Sequence, residues 1–466
     1  MSKTTIILMV FAAMPFAAPI SAQEKPAKKP PEQPVTLQGA LGNPTGLTIS
    51  GSVRARYEVL DNQFRPGLPK RDDLLALRTT LFAQYDAGPV RIGAELVDAR
   101  AYFTDAGSSV GPNEVDALEL TQAYIGFDLE DALGKGSATS IDAGRFTMDL
   151  GSRRLVGRNQ FRNAINSFTG VRAQIRAADK SALTVFVTLP QTRLPRDRQG
   201  VLNNRIEFDR ESFDSIFWGV FGTRPKAIGR ASLDLYFYGL NERDAPGFPT
   251  RNRQLYTPGA RLYASPAPGK TDYDVEGVYQ LGSARATTAA NAPRSQVSAW
   301  SIHAEVGRQF DVKWRPRVAV VYDLASGDHP GGDNNRFDTL FGVRRADFGP
   351  TGIYGPLGRS NISSPGVRLE VTPDTRLDGA IMYRAAFADS ASDSFASSGV
   401  RDPSGASGRF AGHQIESRVR YWIVPKLLRA DVGGALLVNG RLLNNAPNAN
   451  RFGNPIYGYF DTSLTF

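Results

Sequence analysis

The chain has 466 residues, no Cys, three His and a formal net charge of +9. Charged residues make up 22% of it, and beyond its first residues no run of about 18 apolar residues occurs, which excludes a helical membrane protein. Without Cys, disulfides, thiol catalysis and thiolate metal sites are also excluded.

The N-terminus has the pattern of a secretory signal peptide. Lys3 supplies the positive charge, residues 6–18 are mostly apolar, and the small residues Ser21 and Ala22 precede a polar segment. We therefore predict a signal peptide over residues 1–22, cleaved near Ala22. Residues 23–46 follow as a Pro/Lys-rich periplasmic tail, expected to be extended and unpacked over 23–38.

From residue 47 onward the sequence alternates with a period of two. Leu47, Ile49, Val53 and Tyr57, for example, alternate with polar or charged residues. Successive side chains of a strand point to opposite faces, so each such segment has one apolar and one polar face. Eighteen segments of this kind are predicted: 47–60, 74–86, 90–101, 118–129, 138–146, 170–178, 181–188, 212–222, 230–240, 257–265, 272–282, 297–310, 314–326, 364–373, 376–387, 411–423, 427–438 and 457–466.

The connections between these segments alternate in length. Those after even-numbered segments are short, such as 87–89, whereas those after odd-numbered segments are long and polar, such as 327–363. This pattern predicts an all-β protein: a transmembrane antiparallel β-barrel of about 18 strands over residues 47–466, in the bacterial outer membrane. Its turns would be periplasmic and its long loops extracellular. The alternative is a secreted β-sandwich or β-propeller, but no repeat of about 40 residues is present.

The C-terminus also fits an outer-membrane barrel. The final residue is Phe466, and apolar or small residues alternate up to it. A terminal aromatic of this kind resembles the signal that the bacterial barrel-assembly machinery recognises. We therefore expect two partners besides a substrate: that machinery, through Phe466, and the lipid and lipopolysaccharide of the outer membrane.

The polar faces of the strands should line a channel that is rich in arginine. Of the 55 basic residues 44 are Arg, whose planar guanidinium binds carboxylates in a bidentate manner. Excess lumenal Arg concentrates anions, although pairing with lumenal acids is the simpler interpretation for any single residue. The strand arginines expected to line the pore are Arg54, Arg56, Arg78, Arg172, Arg368, Arg384, Arg418 and Arg420.

The third long loop, 147–169, contains four Arg and no acid between Gly151 and Phe168. Outside the barrel it would be a solvated basic loop. Folded inward, it would narrow the pore with anion-binding groups. The residues alone leave both positions open.

Two motifs resemble those of the alginate export porin family. The first includes Leu150-Gly151-Ser152-Arg153-Arg154-Leu155-Val156-Gly157, and the second is 322–328 followed by 337–341 and 360–362. The resemblance implies an 18-stranded outer-membrane barrel with a narrow, arginine-lined pathway for the polyuronate alginate. It also implies that Arg145, Arg153, Arg154 and Arg172 reach that pathway.

The expected function is a passive channel for an anionic polysaccharide or oligosaccharide, with no cofactor. It would act with periplasmic export partners, and it would not bind nucleic acid. The first alternative is a small-solute porin that takes up anions or sugar acids.

The second alternative is an outer-membrane hydrolase in which His303 pairs with a Ser and an acid. No nucleotide-binding, zinc-protease or GxSxG motif supports catalysis. No metal site is expected, although Asp323, Asp328 and Asp333 are spaced five apart and form a weak calcium candidate.

Overall fold

The computed structural model describes residues 36–466. The predicted signal peptide and residues 23–35 of the predicted tail lie outside the described residues. Eighteen strands cover most of the described chain: β1 (Leu47–Asp61), β2 (Arg71–Ala87), β3 (Val90–Tyr102), β4 (Asp116–Glu130), β5 (Ala138–Phe146), β6 (Phe168–Arg176), β7 (Ala182–Pro190), β8 (Ser215–Ile228), β9 (Ala231–Glu242), β10 (Gln254–Ala264), β11 (Thr271–Arg285), β12 (Arg294–Gln309), β13 (Arg317–Ala325), β14 (Ile362–Val371), β15 (Leu377–Phe387), β16 (Phe410–Val424), β17 (Leu428–Asn439) and β18 (Ile456–Thr465).

The strands form one closed antiparallel barrel. Each strand pairs with its neighbours in the chain, and β1 pairs with β18 to close the ring. At this seam the backbone of Phe466 exchanges hydrogen bonds with that of Gly51, at 2.7 and 3.0 Å. All eighteen predicted strands are present, which confirms the predicted fold class, and their ends differ from the prediction by a few residues.

The strand faces follow the alternation in the sequence. On β3, Ile92 and Leu96 are 58% and 45% exposed on the outer face, whereas Glu95 between them is buried on the inner face. On β12, Ile302 and Val306 face outward, and His303 is buried inside. An apolar exterior around a polar interior is the arrangement that a lipid environment requires of a barrel.

The nine long connections all follow odd-numbered strands, as predicted. We label them L1 to L9 in chain order. They include L2 (103–115), L3 (147–167), L4 (191–214), L5 (243–253), L7 (326–361) and L8 (388–409). The connections after even-numbered strands are shorter, down to the two residues between β2 and β3.

Four short helices lie outside the strands: α1 (Leu37–Ala40), α2 (Arg198–Leu202), α3 (Arg345–Phe348) and α4 (Arg441–Asn445). The first of them corrects the prediction of an extended tail at its last residues. The Thr36 side chain accepts a hydrogen bond from the Gly39 backbone, and the Gln38 amide bonds to the backbone of Leu47 and Ile49. These contacts fold the segment against the start of β1. None of the helices in residues 36–466 is long and apolar enough to span a membrane.

An apolar core lies inside the barrel, where the alternation predicted only polar side chains. Phe341 of L7 packs between Phe168 of β6 and Phe217 of β8, with ring centroids 5.2 and 4.8 Å apart. Leu155 of L3 and Phe348 of α3 belong to the same buried cluster. Loops folded into the lumen therefore give these inward apolar residues something to pack against.

Candidate functional site

Loop L3 folds into the barrel and is held there by lumenal arginines of the first two strands. Arg54 of β1 and Arg78 of β2 both donate to the carbonyl oxygen of Gln160, at 2.7 and 3.2 Å. Arg56 donates to the carbonyl oxygen of Phe161 at 2.5 Å, and its guanidinium lies 4.1 Å from the centre of the Phe161 ring. Of the two positions left open by the sequence, L3 therefore takes the inward one.

The other arm of L3 is anchored on the far side of the ring. The Arg154 guanidinium donates to Glu276 and Asp274 of β11, at 2.6 and 3.1 Å, and to Asp347 of L7 at 3.1 Å. Burial opposes ionisation of Asp347, but the charges of Arg154 and Arg359 outweigh it and hold its pKa well below the usual value. Because β1 and β11 lie on opposite sides of the 18-stranded ring, L3 crosses the lumen.

Loop L7 runs beside L3 and pairs with it through the backbone. The Phe341 amide donates to the carbonyl oxygen of Leu155 at 3.0 Å, and the Val343 amide to that of Arg153 at 2.9 Å. The amide of Gly157 in turn donates to the Phe341 carbonyl. We call this pair of segments, 153–157 with 341–343, the inner ribbon. Leu155 and Val156 of this ribbon are buried inside the barrel.

A polar cavity of about 470 Å³ opens among the inward loops. Its volume lies within the range of about 300–1,000 Å³ that is usual for small-molecule sites. Residues of L2, L3, L4, L5, L7 and L8 line it, and one of them, Asp338, is acidic. Six lining residues are arginines: Arg162, Arg193, Arg251, Arg336, Arg344 and Arg359.

Four of these six arginines have no carboxylate partner among residues 36–466. Arg336 pairs with Asp393 at 2.6 Å, and Arg359 pairs with Asp347. Arg193 donates only to amide and carbonyl oxygens, and Arg251 only to a carbonyl oxygen.

The remaining two are Arg162, whose side chain donates no hydrogen bond within that range, and Arg344, which bonds a carbonyl and a hydroxyl oxygen. The acid of the cavity, Asp338, is already paired with Arg253 at 2.6 Å. The cavity therefore carries uncompensated positive charge.

Burial and neighbouring positive charge lower the pKa of two of these arginines. Burial, together with the positive charges of Arg162 and Arg65, holds the pKa of Arg344 well below its usual value. Burial and Arg193 likewise lower the pKa of Arg162, although Glu114 partly offsets them. Since arginine stays protonated in proteins, the favourable way to relieve this repulsion is to bind an anion. The charge of the cavity therefore favours an anion over a cation.

The structure places the predicted pore arginines in two groups. One group contacts the inner loops: Arg54, Arg56 and Arg78 bond L3, Arg154 lies in it, and Arg368 donates to the Ala346 carbonyl of L7. The other group is paired along the wall: Arg145 with Glu119, Arg172 with Asp142, Arg384 with Asp323, and both Arg418 and Arg420 with Asp378.

Arg153 differs from the rest of the predicted set. Its side chain is exposed, and no ion pair or hydrogen bond of its guanidinium occurs within the described chain. That all eleven line the substrate pathway stays a prediction.

Sequence reasoning did not select five of the six cavity arginines: Arg193, Arg251, Arg336, Arg344 and Arg359. They lie in loops, where no alternation indicates which way a side chain points. A concentration of Arg, as noted for L3, is also present at Arg344-Arg345, and this signal could have indicated Arg344.

His303, the candidate catalytic residue of the hydrolase alternative, is buried beside an acid. His303 is 2% exposed, and its Nδ1 lies 2.7 Å from Asp323 Oδ1, whereas its Nε2 has no partner in residues 36–466. An acid therefore lies beside His303, but no Ser is hydrogen-bonded to its free nitrogen in that part of the chain.

The calcium candidates do not meet in one place. Asp323 pairs with His303 and Arg384, Asp328 accepts from the Asn335 backbone, and Asp333 is exposed. His303, Asp323 and Asp347 do form a compact group, but Arg154, Arg359 and Arg384 already contact its carboxylates. A cation would meet three guanidinium groups there, which disfavours a metal.

Comparison with solved structures places the barrel among porins. OccK9 (OpdG) of Pseudomonas aeruginosa matches with a TM-score of 0.60 at 12% identity, over 90% of this chain and 98% of that one. A BenF-like porin of Pseudomonas fluorescens matches with a TM-score of 0.57 at 11% identity, over 90% and 99%. OccK2 (OpdF) of P. aeruginosa, solved with glucuronate, matches with a TM-score of 0.55 at 12% identity, over 90% and 98%. At these identities the likeness shows the fold alone.

The sequence comparisons identify the family. No curated protein matches the chain closely. The alginate export family matches residues 46–453, which is nearly the whole barrel. Together with the closed barrel of eighteen strands, this match shows that the chain is an outer-membrane β-barrel channel and belongs to the alginate export family.

Proposed function

We propose that the barrel is a passive channel for an anionic saccharide of the alginate type, and that the basic cavity binds the carboxylates of that saccharide on their way through. The observation that carries the proposal is the charge of the cavity: Arg162, Arg193, Arg251 and Arg344 line it without a carboxylate partner in the described residues.

Polyuronate chemistry suits such a site. A polyuronate has one carboxylate per sugar residue, and guanidinium groups bind carboxylates through paired charge-assisted hydrogen bonds. The many hydroxyl groups of the sugar can bond the amides that also line the cavity, such as Asn113, Asn166 and Gln191. Several weak contacts of this kind slow a polymer without trapping it, as conduction requires.

Single-channel recording in planar bilayers tests the proposal. In a salt gradient we expect anion selectivity, and we expect added oligouronates to block the current while a neutral glucan of the same length does not. The double variant Arg162→Gln/Arg344→Gln should lower the anion-to-cation permeability ratio and weaken the block about tenfold, equivalent to about 1.4 kcal/mol.

The matched control is Arg224→Gln/Arg230→Gln, which removes the same two charges from exposed residues at the short turn between β8 and β9. It should leave selectivity and block unchanged. A cation-selective channel, or equal block by the neutral glucan, would overturn the proposal.

A small-solute anion porin is the second candidate, favoured by the cavity volume of about 470 Å³, which suits a small molecule. OccK2, which shares the fold at 12% identity, was solved in complex with glucuronate. If free glucuronate blocks the current as well as an oligomer does at equal carboxylate concentration, the site recognises a monomer and this second function holds.

A further inference from the structure

Three buried carboxylates meet at the base of L4 and are not among the residues that line the arginine cavity. Asp116 and Glu119 come from β4 and Asp209 comes from L4, and each is less than 10% exposed. One carboxylate oxygen from each lies within 4.8 Å of those from the other two. Like charges this close repel one another strongly unless something neutralises them.

The local backbone explains how two residues of one strand reach the same point. In a regular strand Asp116 and Glu119 would point to opposite faces. The pairing of β3 with β4 shifts register here, and Leu118 between them has a φ of 55° and points outward. This bulge turns both carboxylates to the inner face, and bulges commonly redirect side chains in this way beside functional sites.

The hydrogen bonds of the group leave Asp116 unsatisfied. Glu119 accepts from Arg145 at 2.5 Å, and from the backbone amides of Leu120 and Asp209 at 2.8 and 2.6 Å. Asp209 accepts from the Leu194 amide at 2.9 Å. Asp116 is 1% exposed, yet neither of its carboxylate oxygens has a hydrogen-bond partner in residues 36–466. Buried polar groups normally have a hydrogen-bond partner, and a bound ion would explain why this carboxylate has none.

The nearby arginines do not neutralise the group. Arg145 contacts Glu119 and lies 3.6 Å from Glu211, so its charge is shared with a fourth acid. Arg193 donates to Asn113, Asn166 and the Ile165 carbonyl rather than to these carboxylates. Three negative charges against one contacting guanidinium leave a deficit of two positive charges, which is the charge of one divalent cation.

We propose that Asp116, Glu119 and Asp209 bind one divalent cation, with Ca²⁺ the favoured ion. All three ligands are hard carboxylate oxygens, with no His or Cys among them, and they come from an irregular loop and a bulged strand. Such flexible all-oxygen sets suit Ca²⁺, whereas Mg²⁺ needs tight octahedral geometry and transition metals prefer nitrogen or sulfur.

The position of the group indicates what the ion does. The Asp209 carboxylate already holds the Leu194 amide, one residue after Arg193 and three after Gln191, and both of these residues line the cavity. A cation that joins Asp209 to β4 therefore fastens L4 where it borders the cavity.

Calcium binding to the full-length barrel in detergent, free of lipopolysaccharide, tests the proposal. After EDTA treatment and removal of the chelator, equilibrium dialysis with radioactive Ca²⁺ at pH 7.5 should give one site per chain. Asp116→Asn should weaken binding on the order of 100-fold, because ligand charge sets affinity in such sites. The same variant keeps the shape of the side chain and relieves repulsion, so in EDTA it should unfold at a higher urea concentration than the wild type.

The control is Asp333→Asn, which removes an exposed acid of L7 and should leave calcium binding unchanged. Absence of binding by the wild type, or equal binding by Asp116→Asn, would overturn the proposal and point to carboxylates that share protons. Loss of binding in Asp333→Asn but not in Asp116→Asn would also overturn it, by moving the ion to L7. Channel selectivity does not enter this test, so it stands apart from the function proposed above.

Discussion

Arg56 shows how one buried charge fixes the position of a whole loop. Its guanidinium is fully buried, pairs with Glu58 at 2.7 Å and donates to the Phe161 carbonyl of L3. Removing one partner of a buried ion pair leaves the other charge unpaired in a poorly solvated place, whereas a solvent-exposed pair adds little stability. The wall arginines Arg54 and Arg56 of β1 therefore support L3.

We expect Arg56→Met to lower the free energy of unfolding by about 3–5 kcal/mol, because Glu58 stays buried without its cation. Urea unfolding of the barrel in lipid vesicles measures this. Arg71→Met, which breaks an exposed pair with Asp73, should lower it by at most about 1 kcal/mol. Equal losses in the two variants would show that Arg56 has no special role in holding L3.

The inner ribbon depends on a close approach of two backbones, where L7 passes L3. A Cβ atom on Gly342 would overlap the carbonyl oxygen of Arg154, and backbone atoms cannot move aside as a flexible side chain can. The strands that carry these loops were predictable because their alternation is local. The ribbon was not, because it joins segments almost 190 residues apart through backbone atoms that any sequence has.

Gly342→Ala should push L7 away from L3 and disturb the arginine cavity without opening the barrel. We expect the block by oligouronates to weaken about tenfold, equivalent to about 1.4 kcal/mol, while the urea midpoint changes little. The comparison is Gly277→Ala on β11, where an added Cβ would meet nothing within 4 Å, so current and block should match the wild type. Unchanged block in Gly342→Ala would mean that the ribbon does not shape the binding site.

At the scale of the whole molecule, two kinds of burial coexist. The outer face is covered by lipid, and this alone imposes the period of two that made all eighteen strands and the closed barrel predictable. The inside is filled by loops, and no periodic rule governs them. Arg344 and Arg193 therefore reach the cavity by tertiary contacts, and the bulge at Leu118 that aligns Asp116 with Glu119 breaks the alternation that prediction relies on.

The lipid-facing belt can be tested with a charge at its middle. Leu96 lies at the centre of β3 and is 45% exposed on the outer face, so Leu96→Arg should lower the free energy of unfolding in vesicles by about 2–4 kcal/mol. Leu41→Arg, at an exposed residue outside the strands, should have little effect. If both variants were equally stable in vesicles, and the protein stayed folded and monodisperse without detergent, the outward apolar face would not be lipid-exposed.

The seam between β1 and β18 sets the order of events during biogenesis. Gly51 and Phe466 exchange backbone hydrogen bonds, so the first strand of the ring finds its second neighbour only in β18, the strand most distant from it along the chain. Contacts so distant along the chain are slow to form, because their entropy must be lost before any pairing is gained. Until then both edges of the unfinished sheet expose unpaired backbone groups, which aggregate readily. A polypeptide of this design therefore has to avoid self-association until the two edges of its sheet have paired with each other.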